Sequence, residues 1–372
     1  MKILPLNDLP LIEEVASLYH GQKYLVGGCV RDWAMGEKCL DLDFLFDSYP
    51  LEAASKLFSR HGGRLDKFEK FRTLRLFLGG RRIDFAAFRK EKYPYCAALP
   101  IVSAASSLKQ DLRRRDFTVN AMAISLDERH KFELLDPYGG LQDLEKRVLR
   151  LLHSRSFRDD PTRLFRAARF CARFSLKPDA AANTALREAA RKKFAIELSR
   201  ERRRNELLKI LEEESPFEVF VFLKKWKILD QVYPFFNLRK EIDNFNGVVE
   251  RMAFMAACFP SPYSFINELN LPGEMKRAVL SEAEPFEKKS APACISSLQS
   301  KIYYVLHKRN LNCAFLSFSD ISKAGIESFM AGPILLEAGR LQWSGKIKNR
   351  KSALAFLSSK AKILNCRRGE IK

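Results

Sequence analysis

Residues Tyr24 to Phe46, YLVGGCVRDWAMGEKCLDLDFLF, decide how the rest of the chain is read. Tyr24, Leu25 and Val26 form a short apolar run of strand type that stops at Gly27-Gly28. Paired glycines reach positive φ and let the backbone come close to a bulky anion, with no Cβ in the way. Cys29 to Met35 follows as a helical turn closed by Gly36. Its first N–H groups point back at whatever the glycines hold, for which a phosphate is the fitting guest. Leu40 to Phe46 alternates as a second strand. Asp41 and Asp43 stand two apart, so both carboxylates leave one face of it. Two such carboxylates repel each other unless a divalent cation lies between them. Alone, a Gly-Gly is a turn and an Asp-x-Asp a solvated strand end. Their order, with Arg31 and Asp32 between them, reads as a nucleotidyl-transfer site in which Asp41 and Asp43 are catalytic and hold the metal.

The chain has 372 residues, enough for two or three domains. Lys and Arg number 65 against 45 Asp and Glu, a formal net charge of +20, which favours a polyanionic partner. No apolar run is long enough to span a membrane, and the N-terminus does not read as a signal peptide. The eight cysteines are scattered without a CxxC pair, which argues for a reducing cytoplasm and against a zinc site. The five histidines are also scattered and suggest no metal or catalytic cluster.

Beyond the opening stretch, residues 8–20 and Leu51 to His61 carry helical spacing, and Gly62-Gly63 closes the second helix. Thr73 to Leu78 and Arg82 to Phe88 flank Gly79-Gly80 as a hairpin. Asp84 falls on its second strand, either as a third carboxylate ligand or as a residue that positions arginines. Arg89 to Pro100 reads as a mobile loop. Arg113-Arg114-Arg115-Asp116-Phe117-Thr118-Val119-Asn120 reads as an arginine cluster entering a helix, and an aspartate beside a nucleotide site can accept from a ribose 2′-OH. Asp136-Pro137-Tyr138-Gly139-Gly140 is a turn. In Ser156 to Leu176, Pro161 suits the first turn of a helix. Asp160, Arg163, Arg166 and Arg169, at spacings of three, share its face opposite an apolar stripe. Phe217 to Leu229 reads as one buried helix. Further helical periods at 247–258, 263–282, 297–309 and 326–341 make an α-helical body, and a basic segment from Lys346 to Arg368 ends the chain.

GGCVRD followed by DLD, then RRDFTVNAM, DPYGG, DDPTR and the ELSRERRRNEL run, resembles the class II tRNA nucleotidyltransferase and bacterial poly(A) polymerase family across roughly residues 20 to 215. The resemblance implies an α+β fold: a polymerase-β-like nucleotidyltransferase head, a small mixed sheet with helices, followed by an all-α neck, body and tail. It sets the head at 1–135, a base-recognising neck at 136–215 and a tRNA-binding body and tail at 216–372. It implies template-independent addition of C and/or A to tRNA 3′ ends from CTP and ATP with Mg²⁺, in the cytoplasm, with no membrane or DNA involved. The protein would grip the acceptor end and T arm of tRNA. The loop at 89–100 corresponds to one whose motion accompanies the switch from C to A. Gly28 and Arg31 would hold the triphosphate, Arg115 the nucleotide and Asp116 the ribose, with Asn120 bracing the turn. Asp160 and Arg163 would read the base, and Arg166 and Arg169 would face the triphosphate. One carboxylate and one guanidinium can pair with either C or A, since both bases offer an exocyclic amine and a ring acceptor. The family's leading Glu is Asp159 here, which bears on the choice between C and A. Poly(A) polymerase activity and a non-catalytic RNA-binding role on the same fold are the other readings.

Overall fold

A computed structural model of the protein describes residues 8–39, 41–259, 262–283, 315–326, 334–335, 337–338, 341, 347 and 349–369. The chain divides into two compact units, residues 1–238 and 239–372.

The first unit is built on a seven-stranded mixed sheet. Its strands are β1 (Lys23–Val26), β2 (Leu42–Phe46), β3 (Arg64–Phe68), β4 (Thr73–Leu78), β5 (Arg81–Ala87), β8 (Ala123–Ser125) and β9 (Leu134–Leu135). Their order is β3-β4-β5-β2-β1-β8-β9. Only β2 and β5 run parallel, and their register sets Asp43 directly beside Asp84. Along β2 every residue but Asp43 is buried, with Leu42, Phe44 and Phe46 on one face. Leu42, Phe44 and Phe46 are fully buried, and Phe44, Phe46 and Phe85 stack with centroids 5.7 to 6.4 Å apart. Helices α1 (Leu9–Ser17) and α3 (Leu51–His61) pack together, and α3 also lies against β3 and β4. The opposite face carries Asp43 and Leu45, and there Leu45 joins Tyr24, Val26 and Leu112 in a second core cluster. A half-buried carboxylate on a core strand is thus forced by period-two geometry, once the other face is filled with aromatic rings.

Three expectations shift. The loop foreseen over 89–100 is shorter, because Arg89–Lys92 (β6) pairs antiparallel with Ile101–Ala104 (β7) and satisfies the backbone of both. Arg89 is further fixed by donating from Nη1 to the Phe71 carbonyl at 2.6 Å. The arginine cluster does not enter a helix but leaves one, since Arg113 is the last residue of α4 (Leu108–Arg113). Phe217 to Leu229 is two helices, broken where Lys227 takes a left-handed φ of 59°.

Behind the sheet come α5 (Gly140–Glu145), α6 (Ser156–Asp159), α7 (Thr162–Phe174), α8 (Ala180–Arg191), α9 (Arg200–Leu211), α10 (Pro216–Lys225) and α11 (Leu229–Val232). α7 buries Leu164, Phe165, Ala168 and Cys171 and packs on α9 and α10. Ser199 caps α9, its hydroxyl accepting from the Arg202 N–H.

Within the second unit, α12 (Val248–Ala257), α13 (Pro262–Glu268) and α14 (Gly273–Ala283) pack on one another, with Pro272 at the α13–α14 break. Helices over Phe318–Lys323 and Arg350–Gly369 share a core of Ile321, Leu335, Ala353 and Leu357. The helical period at 297–309 and most of that at 326–341 lie outside the described residues, as do Lys346 and Lys348. Of the basic segment's described side chains, Arg350 pairs with Asp320 and Lys360 with Glu337.

Candidate nucleotide site

The turn after β1 brings three groups to one point. Gly27 has φ +80°, and a Cβ there would stand 3.0 Å from both Asp43 Oδ2 and Arg115 Nη1. Only glycine fits that backbone and that space. Gly28, expected to cradle the anion, opens α2 (Gly28–Ala34), and a Cβ there would meet only Arg31 Nη2 at 3.7 Å. The irreplaceable glycine is therefore Gly27, which the sequence shows as one of a pair without saying which.

The carboxylates around this point are crowded. Burial, and next the Asp84 carboxylate, push Asp43 up to about 6, with Asp41 adding to the effect and Arg115 and Arg82 opposing it. Asp41 stands just ahead of β2 and pairs with Arg82 Nη2 at 2.7 Å. Asp84 is held at both oxygens by Arg75, at 2.7 and 2.8 Å. The donor set suits a divalent metal: oxygen ligands only, in mutual repulsion, beside a position no side chain can enter. Arg115 adds a buried Nε–H without a hydrogen-bond partner. Its Nη1 and Nη2 make only long contacts, 3.4 Å to the Asn120 carbonyl and 3.5 Å to Asp111. An under-used guanidinium beside crowded carboxylates is what a metal–phosphate ligand would relieve.

Arg31 lies elsewhere. It is 5% exposed, bonds Asp32 Oδ1 through Nε and Nη2, and reaches Asn120 Oδ1 through Nη1 at 2.6 Å. Its guanidinium rests over the Phe170 and Phe174 rings of α7, at 5.0 and 4.7 Å. Asn120 ties this brace onward, donating to Asp116 Oδ1 at 2.9 Å. Asp116 also accepts from the Phe117 N–H and, at Oδ2, from Arg166 Nε at 2.7 Å. Burial disfavours its charge, but Arg166, Asn120 and Arg163 outweigh that and hold Asp116 at about 2. Asp116 and Arg166 thus come together, joined to each other. Arg169 turns away and shares Glu213 with Arg173.

Asp160 precedes α7 with its Oδ1 accepting from Thr162 N, Thr162 Oγ1 and Arg202 Nη2, the last at 2.6 Å. Arg202 also donates from Nη1 to the Ala97 carbonyl at the tip of the β6–β7 hairpin. It links that tip to Asp160, a role that no local signal in the sequence discloses. Arg163, 5% exposed, bonds Ser156 Oγ and the Arg114 carbonyl, each at 2.7 Å. Lys90, Glu91, Tyr93, Gln110, Arg113, Arg114, His153 and Asp159 line a cavity beside it. Among the described residues no group of three or more His, Cys, Asp or Glu is placed to hold a metal ion, so the candidate metal-holding set here is the Asp41–Asp43 pair without Asp84. No helix among them is long and apolar enough to cross a membrane.

Residues 23–150 match the Poly A polymerase head domain. The chain is 38% identical over 219 residues to the A-adding tRNA nucleotidyltransferase of Aquifex aeolicus (strain VF5), covering 59% of this chain and 26% of that protein. It is 43% identical over 155 residues to the CC-adding tRNA nucleotidyltransferase of Deinococcus radiodurans, covering 41% of each. Among solved structures, a CCA-adding enzyme in apo form II superposes with a TM-score of 0.63 at 28% identity, over 98% of this chain and 85% of that one. The chain spans 24 to 41% of the length of the first four curated relatives it matches. Matching head, relatives and superposition agree: the chain carries a Poly A polymerase head domain at residues 23–150 and is similar to tRNA nucleotidyltransferases in sequence and to CCA-adding enzymes in structure.

Proposed function

We propose that the protein adds C and/or A to the 3′ end of tRNA, without a template, from CTP and/or ATP, releasing pyrophosphate. The observation that carries this reading is the convergence of Asp43 and Arg115 on the side-chain-free position at Gly27. Relatives described as A-adding, CC-adding and CCA-adding enzymes, and neighbours solved with tRNA and with ATP, support the substrate classes.

Asp41 and Asp43 are the residues that would hold Mg²⁺, which when bound supplies activation of the tRNA 3′-hydroxyl and neutralises charge on the departing pyrophosphate. Asp84, gripped by Arg75, fixes Arg75 and crowds Asp43 rather than reaching out. Arg115 offers its free Nε–H and two weakly used nitrogens to the phosphates. Arg31 acts from beneath, holding the glycine turn against α7. Asp116 and Arg166 act as a joined pair, the carboxylate orienting the guanidinium. At Asp160, Oδ1 is anchored, so Oδ2 is the oxygen that accepts from a base amine, and Arg163 is the donor to the ring acceptor. The basic excess, with Lys351 exposed on the last helix, suits the tRNA backbone. A cytoplasmic setting, where tRNA and nucleotides are found, follows from this reading.

The test is incorporation of each labelled nucleotide into tRNAs ending before CCA, after CC and after CCA. Growth by CCA, by CC alone or by A alone assigns the division of labour. An unlimited A tail converts the reading to poly(A) polymerase. Absence of incorporation with Mg²⁺ present, while tRNA is bound, leaves an RNA-binding protein.

A further inference from the structure

Arg163 is steered by three acceptors, and one of them titrates. Besides Ser156 Oγ and the Arg114 carbonyl, its Nη1 meets His153 Nε2 at 3.3 Å. A guanidinium only donates and never loses its charge, so Nε2 must supply the lone pair. That fixes His153 as the neutral tautomer with its hydrogen on Nδ1. Nδ1 in turn faces Asp159 Oδ2 at 4.0 Å. Carboxylate, imidazole and guanidinium stand in a row, and the row begins at Asp159, where this chain departs from the family's Glu.

The charged groups around the ring come from every side. Asp159 and Arg155 lie on its own segment, Arg163 on α7, Arg113 and Arg114 at the end of α4, and Lys90 and Glu91 on β6 across the cavity. Burial, and next the Arg163 charge, hold the imidazole below its usual range, so it remains an acceptor at neutral pH.

We propose that His153 is a positioning residue for nucleotide selection: through the Asp159–His153–Arg163 row it sets the angle at which Arg163 meets the base. This rests on Arg163 reading the base, as argued above. A protonated ring has no lone pair for Arg163 and sets a second cation against it. The guanidinium must then turn, and selectivity must fall in acid. Glutamine at 153 keeps an acceptor oxygen but cannot titrate, so it separates geometry from charge.

The experiment uses the full chain and a tRNA acceptor, with kcat and KM for the preferred nucleotide and for GTP and UTP measured between about pH 8 and pH 5. The ratio of preferred to wrong nucleotide cancels pH effects on the chemistry itself. In the wild type this ratio should fall as pH drops through and below the ordinary imidazole range. His153→Ala should lower it about tenfold at neutral pH, mainly through KM, as expected for one hydrogen bond to a charged group. His153→Gln should restore most of the ratio and flatten its acid decline. Equal selectivity and equal pH profiles in all three proteins overturn the proposal. So does His153→Gln behaving like His153→Ala with a matching fall in Tm, which marks a purely structural role. If the wild type incorporates nothing, the enzymatic reading fails and the positioning role falls with it. If it incorporates selectively and the variants do too, only the positioning role falls.

Discussion

Asp43 and Asp116 are both aspartates pressed into protein, and the structure treats them in opposite ways. Asp43 sits among other carboxylates and is pushed up to about 6, while Asp116 is held at about 2. Around Asp116 every oxygen is matched, by Asn120, the Phe117 N–H and Arg166. Around Asp43 the neighbouring donors are taken by Asp41 and Asp84, and the nearest guanidinium, Arg115, keeps an unpaired Nε–H. Burial is costly for both charges. One region meets that cost internally and so holds the fold; the other leaves it unmet and so awaits a ligand. Local electrostatic frustration marks the working end of the site, and saturation marks its frame.

The sharpest way to break this comparison is Asp43→Asn. It should reduce incorporation by at least about a thousandfold, some 4 kcal/mol on the barrier. Removing one of three mutually repelling charges should leave Tm unchanged or slightly higher, read by calorimetry on the metal-free protein. A large loss of Tm would show that Asp43 belongs to the frame. Chelation of divalent metal from the wild type should match the loss in activity and likewise spare the fold.

Asp116→Ala tests the other side, and here stability should bear the effect. Asn120 and the Phe117 N–H lose their buried acceptor and the one-third-exposed Arg166 loses its partner, which should cost about 1–3 kcal/mol and lower Tm by several degrees. The pH dependence follows the same logic. The folded pKa lies below the unfolded one, so the ion pair's contribution is fully present above about pH 4 and is lost as pH falls towards 2. That slope should be worth about 2 kcal/mol in urea titrations of the wild type and absent from Asp116→Ala.

Gly27→Ala falls between the two regions. A Cβ 3.0 Å from Asp43 Oδ2 and Arg115 Nη1, at φ +80°, strains the backbone by about 1–2 kcal/mol. It also wedges apart the two groups that meet there. Activity should fall about a hundredfold, near 2.7 kcal/mol on the barrier, in excess of the stability change. Gly28→Ala, where the added methyl meets ordinary contact, should do much less.

What the sequence disclosed was local. The strand–glycine–helix–strand order and the placing of Asp43 on the face opposite Leu42 and Phe44 follow from spacing within 23 residues, and period-two and turn chemistry act at that range. The sequence did not disclose who pairs with whom. Arg31 was expected at the triphosphate because it neighbours the turn. It swings inward because Asn120, 89 positions away, presents an acceptor beside the α7 rings. Arg75 and Arg82 were unremarked strand residues until the β4–β5–β2 register set them against Asp84 and Asp41. Arg169 looks like one of a row on α7, yet Glu213 claims it from beyond α9. Arginine is long, and which carboxylate it finds is a tertiary matter that periodicity cannot decide.

The smallest expected effect is also the cleanest test of whether Arg31 belongs to the frame. Phe174→Leu keeps an apolar side chain at a buried position but removes one of the two rings beneath the guanidinium. Losing the ring's contacts to Arg31 and, at 5.7 Å, to the half-exposed Arg173, with the added small cavity, should cost about 1–2 kcal/mol of stability. Arg31 keeps its bonds to Asp32 and Asn120, so the glycine turn stays seated. KM for the nucleotide should then be unchanged within about twofold, since such a shift corresponds to only about 0.4 kcal/mol. If Arg31 instead grips the triphosphate directly, loosening its platform should raise KM in step with the loss of stability. The ratio of those two changes, rather than the size of either, tells a brace from a ligand.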